Sequence, residues 1–386
     1  MGMLVKYHLY APGPVEIPPE VLTEMSKPIF HHRTSQFSDV LVNAWEGLKY
    51  VFQTKQHVHI LSSSGTGAMN AAVENTLSEG DKVIVLSFGK FGERWEKIAK
   101  SYRLNVITLK KDYGYCVEPD EVEKALKENP DTKAVLLQHC ETSTGVSSDL
   151  KEIANIVKKT DALLIVDGIT SVGCDEVKMD EWSIDVLIGG SQKSFMIPPG
   201  LSFIALSEKA RKYMEKSNLP KFYFNLKEEE KALVDKTTAW TPGITLIMAL
   251  NKAIELMKKE GLENVIKRHR VIAEAVREGV KAIGLNLFCK YRLFSNSVTA
   301  VEVPQGIDGT KIPKLMRNKY GAEIAGGQGS MKGQIFRLGH LGYVDKGDVV
   351  VMLQALEFTL RELGYKFNIG DSISAANKII FDKYEF

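Results

Sequence analysis

Apolar runs and amphipathic stretches alternate along the first 210 residues of the chain. HVHIL (57–61), KVIVLS (82–87), LNVITL (104–109), AVLLQH (134–139), ALLIVD (162–167), DVLIGG (185–190) and LSFIAL (201–206) have the length and apolar content of strands. They lack the every-other-residue alternation of a half-exposed sheet, which predicts strands covered on both faces. Between several of them lie GAMNAAVENTL, GERWEKIAKSY, PDEVEKALKEN and DLKEIANIVKK, whose apolar spacing predicts helices. Strand and helix in turn predict an α/β fold: a mostly parallel seven-stranded sheet covered by helices.

From about Gly243 the pattern turns helical, with two long helices expected on either side of Gly261. The last hundred residues mix the short strands SVTAVEV and QIFRLG with the helices IPKLMRNKY and KGDVVVMLQALEFTLREL, as a smaller α+β domain would. The expected division is a large domain over 18–260 and a small one over 261–386, with residues 1–17 packing near the small one. The final DSISAANKIIFDKYEF carries two apolar pairs and predicts a docked tail.

Composition narrows the function classes. The chain has 386 residues, a formal net charge of +2, and 44% hydrophobic and 25% charged residues. That balance, with no long basic block, offers neither nucleic acid nor an anionic membrane a general electrostatic partner. KRHR (267–270) is the densest basic stretch and is expected to be a solvated helix face. The N-terminus lacks signal-peptide features and no run is long enough to span a bilayer, so the expected compartment is the cytoplasm. Four dispersed cysteines without CxxC spacing predict neither a disulfide framework nor a metal site.

Open α/β sheets bind ligands beyond the carboxyl ends of their strands, which directs attention to the residues after each apolar run. After HVHIL comes SSSGTGAMNAA, where hydroxyls and glycines open a helix. This is either a phosphate cradle or a simple N-capped turn. After ALLIV comes Asp167, an acid at the end of a very apolar run, either functional or capping the next turn. The run DVLIGG is followed by SQKSFMIPPG, where Lys193 stands among small residues in front of two prolines. A partly desolvated lysine has a lowered pKa and acts as a nucleophile toward aldehydes. Anion cradle, acid and lysine on one rim are the three partners that pyridoxal 5'-phosphate needs for its phosphate, its pyridine nitrogen and its aldehyde.

APGPVEIP, HHRTSQF, ILSSSGTGAMNAA, GKFGERW, HCETSTGV, LLIVDGITSVG, GGSQKSFMIPPG, TTAWTPGI and FRLGHLG span nearly the whole chain. With these motifs the chain resembles the class V aminotransferases of fold type I, and within them the alanine:glyoxylate and serine:pyruvate group. The resemblance implies a pyridoxal-phosphate-dependent aminotransferase. It would move an amino group from serine or alanine to pyruvate or glyoxylate in two half-reactions. Lys193 matches the lysine that holds the cofactor covalently and shuttles a proton. Asp167 matches the acid on the pyridine nitrogen. Ser64, Gly65, Thr66 and Gln192 match positions around the phosphate, and Thr241 matches one that reaches it from the neighbouring subunit, implying a homodimer with shared active sites. Phe91 matches the ring stacked on the cofactor, Thr142 a hydroxyl near its phenolic oxygen, Ile169 a side chain beneath the ring, and Arg337 the arginine that grips the substrate α-carboxylate.

Departures from the family pattern matter too. Thr238 stands where some relatives have a tyrosine that reaches the partner's phosphate. His32 and Arg33 resemble a pair that binds substrate phosphate in phosphoserine aminotransferases, but the wider group carries it as well. The alternatives are a phosphoserine aminotransferase or, with a change of chemistry, a cysteine desulfurase or other lyase of the same fold. Against it, the loop IAGGQGSMKG (324–333) has no cysteine and the stacking position is a phenylalanine. A non-catalytic binding protein is the third reading, opposed by the retention of lysine, acid, cradle and arginine together.

Overall fold

A computed structural model describes residues 5–384, so the first four residues of the N-terminal segment and the last two of the tail lie outside the described residues. All seven apolar runs form strands of one sheet. Across it they run Val58–Leu61, Ser202–Leu206, Val186–Gly190, Leu163–Asp167, Ala134–Gln138, Lys82–Ser87 and Asn105–Lys110. Ser202–Leu206 is antiparallel to both neighbours, and the other pairs are parallel. Because side chains alternate across a strand, the apolar runs feed two cores at once. Ile84, Leu86, Val135, Leu137, Leu164 and Val166 enter one, and Val83, Val85, Leu136, Leu163 and Ile165 the other.

Helices cover both faces. The four predicted between the strands form at Gly65–Thr76, Lys90–Ser101, Pro119–Glu128 and Leu150–Val157. The sequence reading did not assign the long helix Ser35–Phe52, although Thr34 caps it, accepting from Phe37 N at 3.4 Å, and Phe37, Leu41, Trp45, Leu48 and Phe52 form its buried stripe. It packs against Ile244–Glu260 so closely that a Cβ on Gly47 would lie 2.8 Å from Ile254.

A third core lies on Val298–Glu302 and Ile335–Gly339 with the helices Lys311–Tyr320, Lys346–Glu362 and Asp371–Lys383. The helix Leu262–Ala282 serves two cores. Its first residues, Leu262, Val265 and Ile266, join the sheet core, and Ile272, Ala275, Val276 and Val280 join the third. KRHR therefore departs from expectation. Helical periodicity turns His269 fully inward, where its Nε2 accepts from Gly342 N at 2.9 Å. Arg268 pairs with Glu260 at 2.7 Å, leaving Lys267 and Arg270 on the exposed side.

The N-terminal arm reaches across the molecule. His8–Leu9 lies parallel to Ala322–Glu323, and Gly339 N donates to Tyr10 O at 2.7 Å. The four cysteines are free and buried. No described helix is long and apolar enough to cross a membrane.

Candidate active site

The strand ends converge on Lys193. Its amine donates to the carbonyl of Pro12 in the N-terminal arm. Gly13 sits so close that a Cβ there would lie 2.6 Å from the lysine nitrogen, and its φ of +118° independently favours glycine. Protein packed around the ammonium costs it hydration, lowering the pKa of Lys193 to about 8. Arg337 and Arg94 push the same way, while Cys140 and Asp167 partly oppose them. An amine so placed is neutral in a useful fraction near physiological pH.

Asp167 is 5% exposed at the end of its strand, and its Oδ1 accepts from Ile169 N at 2.9 Å. Burial raises its pKa to about 6, moderated by that hydrogen bond and by the charges of Arg94 and Lys193. A buried carboxylate so poised gains from a cationic hydrogen-bond donor beside it. Ile169 fits between two glycines: a Cβ on Gly65 would lie 2.4 Å from its Cδ1, and one on Gly190 2.9 Å from its Cγ2. The glycines of SSSGTG and LIGG thus let the cradle, the acid's turn and the lysine's turn close on one another.

The cradle is an open helix end. Ser64 precedes the helix Gly65–Thr76 without capping it through its side chain, and the first turn holds no acidic residue. Nearby, Oε1 of Gln192 is buried without a hydrogen-bond partner. Free backbone donors and hydroxyls suit a phosphate group, whereas the Gln192 oxygen itself can only accept.

Phe91 begins the helix Lys90–Ser101. Its backbone N–H, and that of Gly92, donate to Oε2 of Glu141 at 3.0 and 3.2 Å. Glu141 lies on the short strand Cys140–Glu141, paired with Val146–Ser147, a hairpin the sequence reading did not assign. Thr142 is buried in its turn, and its carbonyl accepts from Arg337 Nη1 at 3.0 Å. Arg337 is 5% exposed, and its Nε donates to Gly326 O at 3.0 Å. Burial lowers its pKa to about 10, with Glu141 the opposing charge. Among the described residues no carboxylate lies at ion-pair distance from it, so the buried guanidinium meets only carbonyl oxygens.

Arg94 was not singled out from the sequence. Its Nη1 donates to the Thr66 hydroxyl at 2.9 Å and its guanidinium lies 4.7 Å from the Phe91 ring centroid. That sets a positive charge between the cradle and Asp167. Its place in GKFGERW, three residues after the stacking position, was the available signal. Thr241 stands apart. It is exposed, in a small cleft with Ser62, Tyr223, Thr238 and Trp240, and no described contact joins it to the Lys193 cluster.

With lysine, acid, cradle and guanidinium on one rim, the comparisons decide the family. The model of the class V aminotransferases matches residues 8–343. The chain belongs to the class V aminotransferases. It is 41% identical, over 97% of its length and 98% of the relative's, to a protein of Synechococcus sp. named soluble hydrogenase, small subunit. It is 36% identical to the L-aspartate–glyoxylate aminotransferase of Paracoccus denitrificans, covering 96% and 95% of the two chains. The crystal structure of ureidoglycine-glyoxylate aminotransferase from Bacillus subtilis superposes with a TM-score of 0.92, at 32% identity and 99% coverage of both chains. This class V aminotransferase is accordingly a pyridoxal-phosphate-dependent enzyme of fold type I.

Proposed function

We propose that the enzyme transfers the amino group of a small amino acid, serine or alanine, to glyoxylate or pyruvate in two half-reactions, with the residues above in the following roles. Bound pyridoxal 5'-phosphate supplies an aldehyde and an electron-withdrawing ring. Lys193 would hold the cofactor through Nζ and, once released from it, would carry a proton to and from the substrate Cα. Asp167 keeps a proton on the pyridine nitrogen. Ser64, Gly65, Thr66 and Gln192 hold the phosphate, with Arg94 adding charge. Phe91 and Ile169 would hold the ring from its two faces, and Thr142 would hold its phenolic oxygen. Thr241 completes the phosphate site from the neighbouring subunit of a homodimer, which accounts for its exposure in the single chain. The division at residue 260 and the cytoplasmic setting belong to the same proposal.

One observation carries the substrate class. The guanidinium of Arg337, buried without a carboxylate partner, offers the planar fork that binds an α-carboxylate at two points. The glyoxylate enzymes among the similar proteins support that acceptor. L-Aspartate as donor is the second reading, favoured by the name of the Paracoccus denitrificans relative.

The test is the visible absorbance of the cofactor-loaded protein with L-serine, L-alanine and L-aspartate in turn. Bleaching by serine or alanine, with 2-oxo acid formed and the band restored by glyoxylate, is the expected result. Bleaching by aspartate alone would move the assignment to the second reading. A band indifferent to all three would reject both.

A further inference from the structure

The helix that carries Phe91 has no cap of its own. Gly89 precedes it and has no side chain to offer. Its first N–H groups are received instead by a turn some fifty residues later. Phe91 N and Gly92 N reach Oε2 of Glu141 at 3.0 and 3.2 Å, and Lys90 N reaches the Ser143 hydroxyl at 3.1 Å. The carboxylate is itself fully fixed. Oε1 takes Ser143 N at 3.2 Å and the Ser143 hydroxyl at 2.5 Å, and Oε2 also takes Gln138 Nε2 at 3.0 Å. Glu141 is wholly buried, and a Cβ on Gly89 would fall 2.2 Å from its carboxyl carbon, so the glycine is there to admit it. Five donors on one buried carboxylate outweigh what capping alone requires, since one or two side-chain acceptors satisfy an ordinary helix end.

Glu141 is also next to Thr142, whose carbonyl holds Arg337. One side chain therefore ties together the segment of the stacking ring, the turn beside the phenolic oxygen and the anchor of the substrate's arginine. We propose that Glu141 is a positioning residue of the transamination site, clamping the Phe91 helix end against the Thr142 turn so that the ring stands at stacking distance from the cofactor. The inference rests on the role given to Phe91 above.

Glu141→Gln keeps the shape and one acceptor oxygen but turns an amide donor toward N–H groups that need an acceptor. The expected result is an apoprotein that binds pyridoxal 5'-phosphate about tenfold more weakly, with reduced circular dichroism of the bound cofactor's visible band. The decisive measurement is a double-mutant cycle on cofactor affinity with Phe91→Ala. If Glu141 acts through the ring, the double variant binds no more weakly than Phe91→Ala alone. Independent effects, multiplying to about a hundredfold, would overturn the proposal. Ser143→Ala, which leaves the carboxylate in place and removes one of its donors, serves if Glu141→Gln fails to fold. It should weaken cofactor binding up to about tenfold, since it removes a hydrogen bond to a charged group and the acceptor of Lys90 N, and that loss should vanish on the Phe91→Ala background; a loss that persists there overturns the proposal. Should Phe91→Ala itself leave cofactor affinity unchanged, the stacking role fails, and the clamp with it.

Discussion

Two helices follow strands that are consecutive in the chain, Val58–Leu61 and Lys82–Ser87, and their first turns are treated in opposite ways. At Lys90–Ser101 the N–H groups meet a carboxylate and a hydroxyl brought from the 141–143 turn. At Gly65–Thr76 neither a side-chain cap nor an acidic residue answers them, and the cation of Arg94 donates to the Thr66 hydroxyl. Helix N-termini attract anions through their free N–H groups and their dipole. One end is satisfied from within the chain; the other, in the function proposed above, receives the cofactor's phosphate. Catalytic sites are thus visible as places where the chain leaves its own rules unfulfilled.

The largest break in this contrast comes from filling the open end. Ser64→Asp supplies the missing anionic cap. Cofactor affinity should fall about a hundredfold, while the apoprotein gains about 1 kcal/mol of stability. Isothermal titration of the apoprotein and its urea midpoint check the two halves. Cofactor binding unchanged by this substitution would show that the end is not the phosphate site.

Crowding the filled end comes next. Gly89→Ala sets a methyl group against the Glu141 carboxyl, and the expected loss is about 2 kcal/mol with or without cofactor. Differential scanning calorimetry of both forms tests this. A loss confined to the loaded protein would mean that the carboxylate moves freely in its absence.

Removing the cation beside the open end sharpens the comparison further. Arg94→Met should weaken binding of the cofactor about tenfold, and binding of pyridoxal, which lacks the phosphate, much less. Equal losses for the two would detach Arg94 from the phosphate.

The smallest effect is in pH dependence. Burial favours the neutral amine of Lys193, so its folded pKa of about 8 lies below the ordinary lysine value. The unfolded chain binds the extra proton between those limits, so this group's share of stability grows as pH rises from about 8 and is lost as pH falls through it. Covalent capture of the cofactor's aldehyde, followed by the appearance of the visible band, should accelerate with pH and level off just above 8. A midpoint near that of an exposed lysine would contradict the desolvated setting. Asp167 has the reverse sign. Its raised folded pKa of about 6 means that its contribution is present below the usual aspartate range and lost as pH rises through 6.

The sheet was legible because its runs are mostly apolar without every-other-residue alternation, as strands covered on both faces are; the edge strand Asn105–Lys110 is only partly buried. Asp167 was legible because it ends such a run and Lys193 because it follows one closely among small residues, where a charge is costly and so conspicuous. Glu141 was not, since a carboxylate in ETSTG reads as a turn residue until the helix end it serves, fifty residues earlier in the chain, is seen beside it. Arg94 hid in a stretch that also contains Lys90, Glu93, Glu96 and Lys97, where one more charge carries no signal. Thr241 was found only through the resemblance, because its proposed partner lies on another chain. The inward turn of His269 illustrates the opposite limit, in which charge density misled and helical periodicity decided.

The N-terminal arm sets an order of events during synthesis. The backbone that His8 and Leu9 pair with, Ala322 and Glu323, is made more than three hundred residues after them. The sheet and Lys193 can be assembled long before that, since strands that emerge earlier can dock earlier. Until the partner strand arrives, the nascent chain has its reactive lysine without the Pro12 carbonyl and Gly13 that later press against it. The arm is therefore made early and seated late.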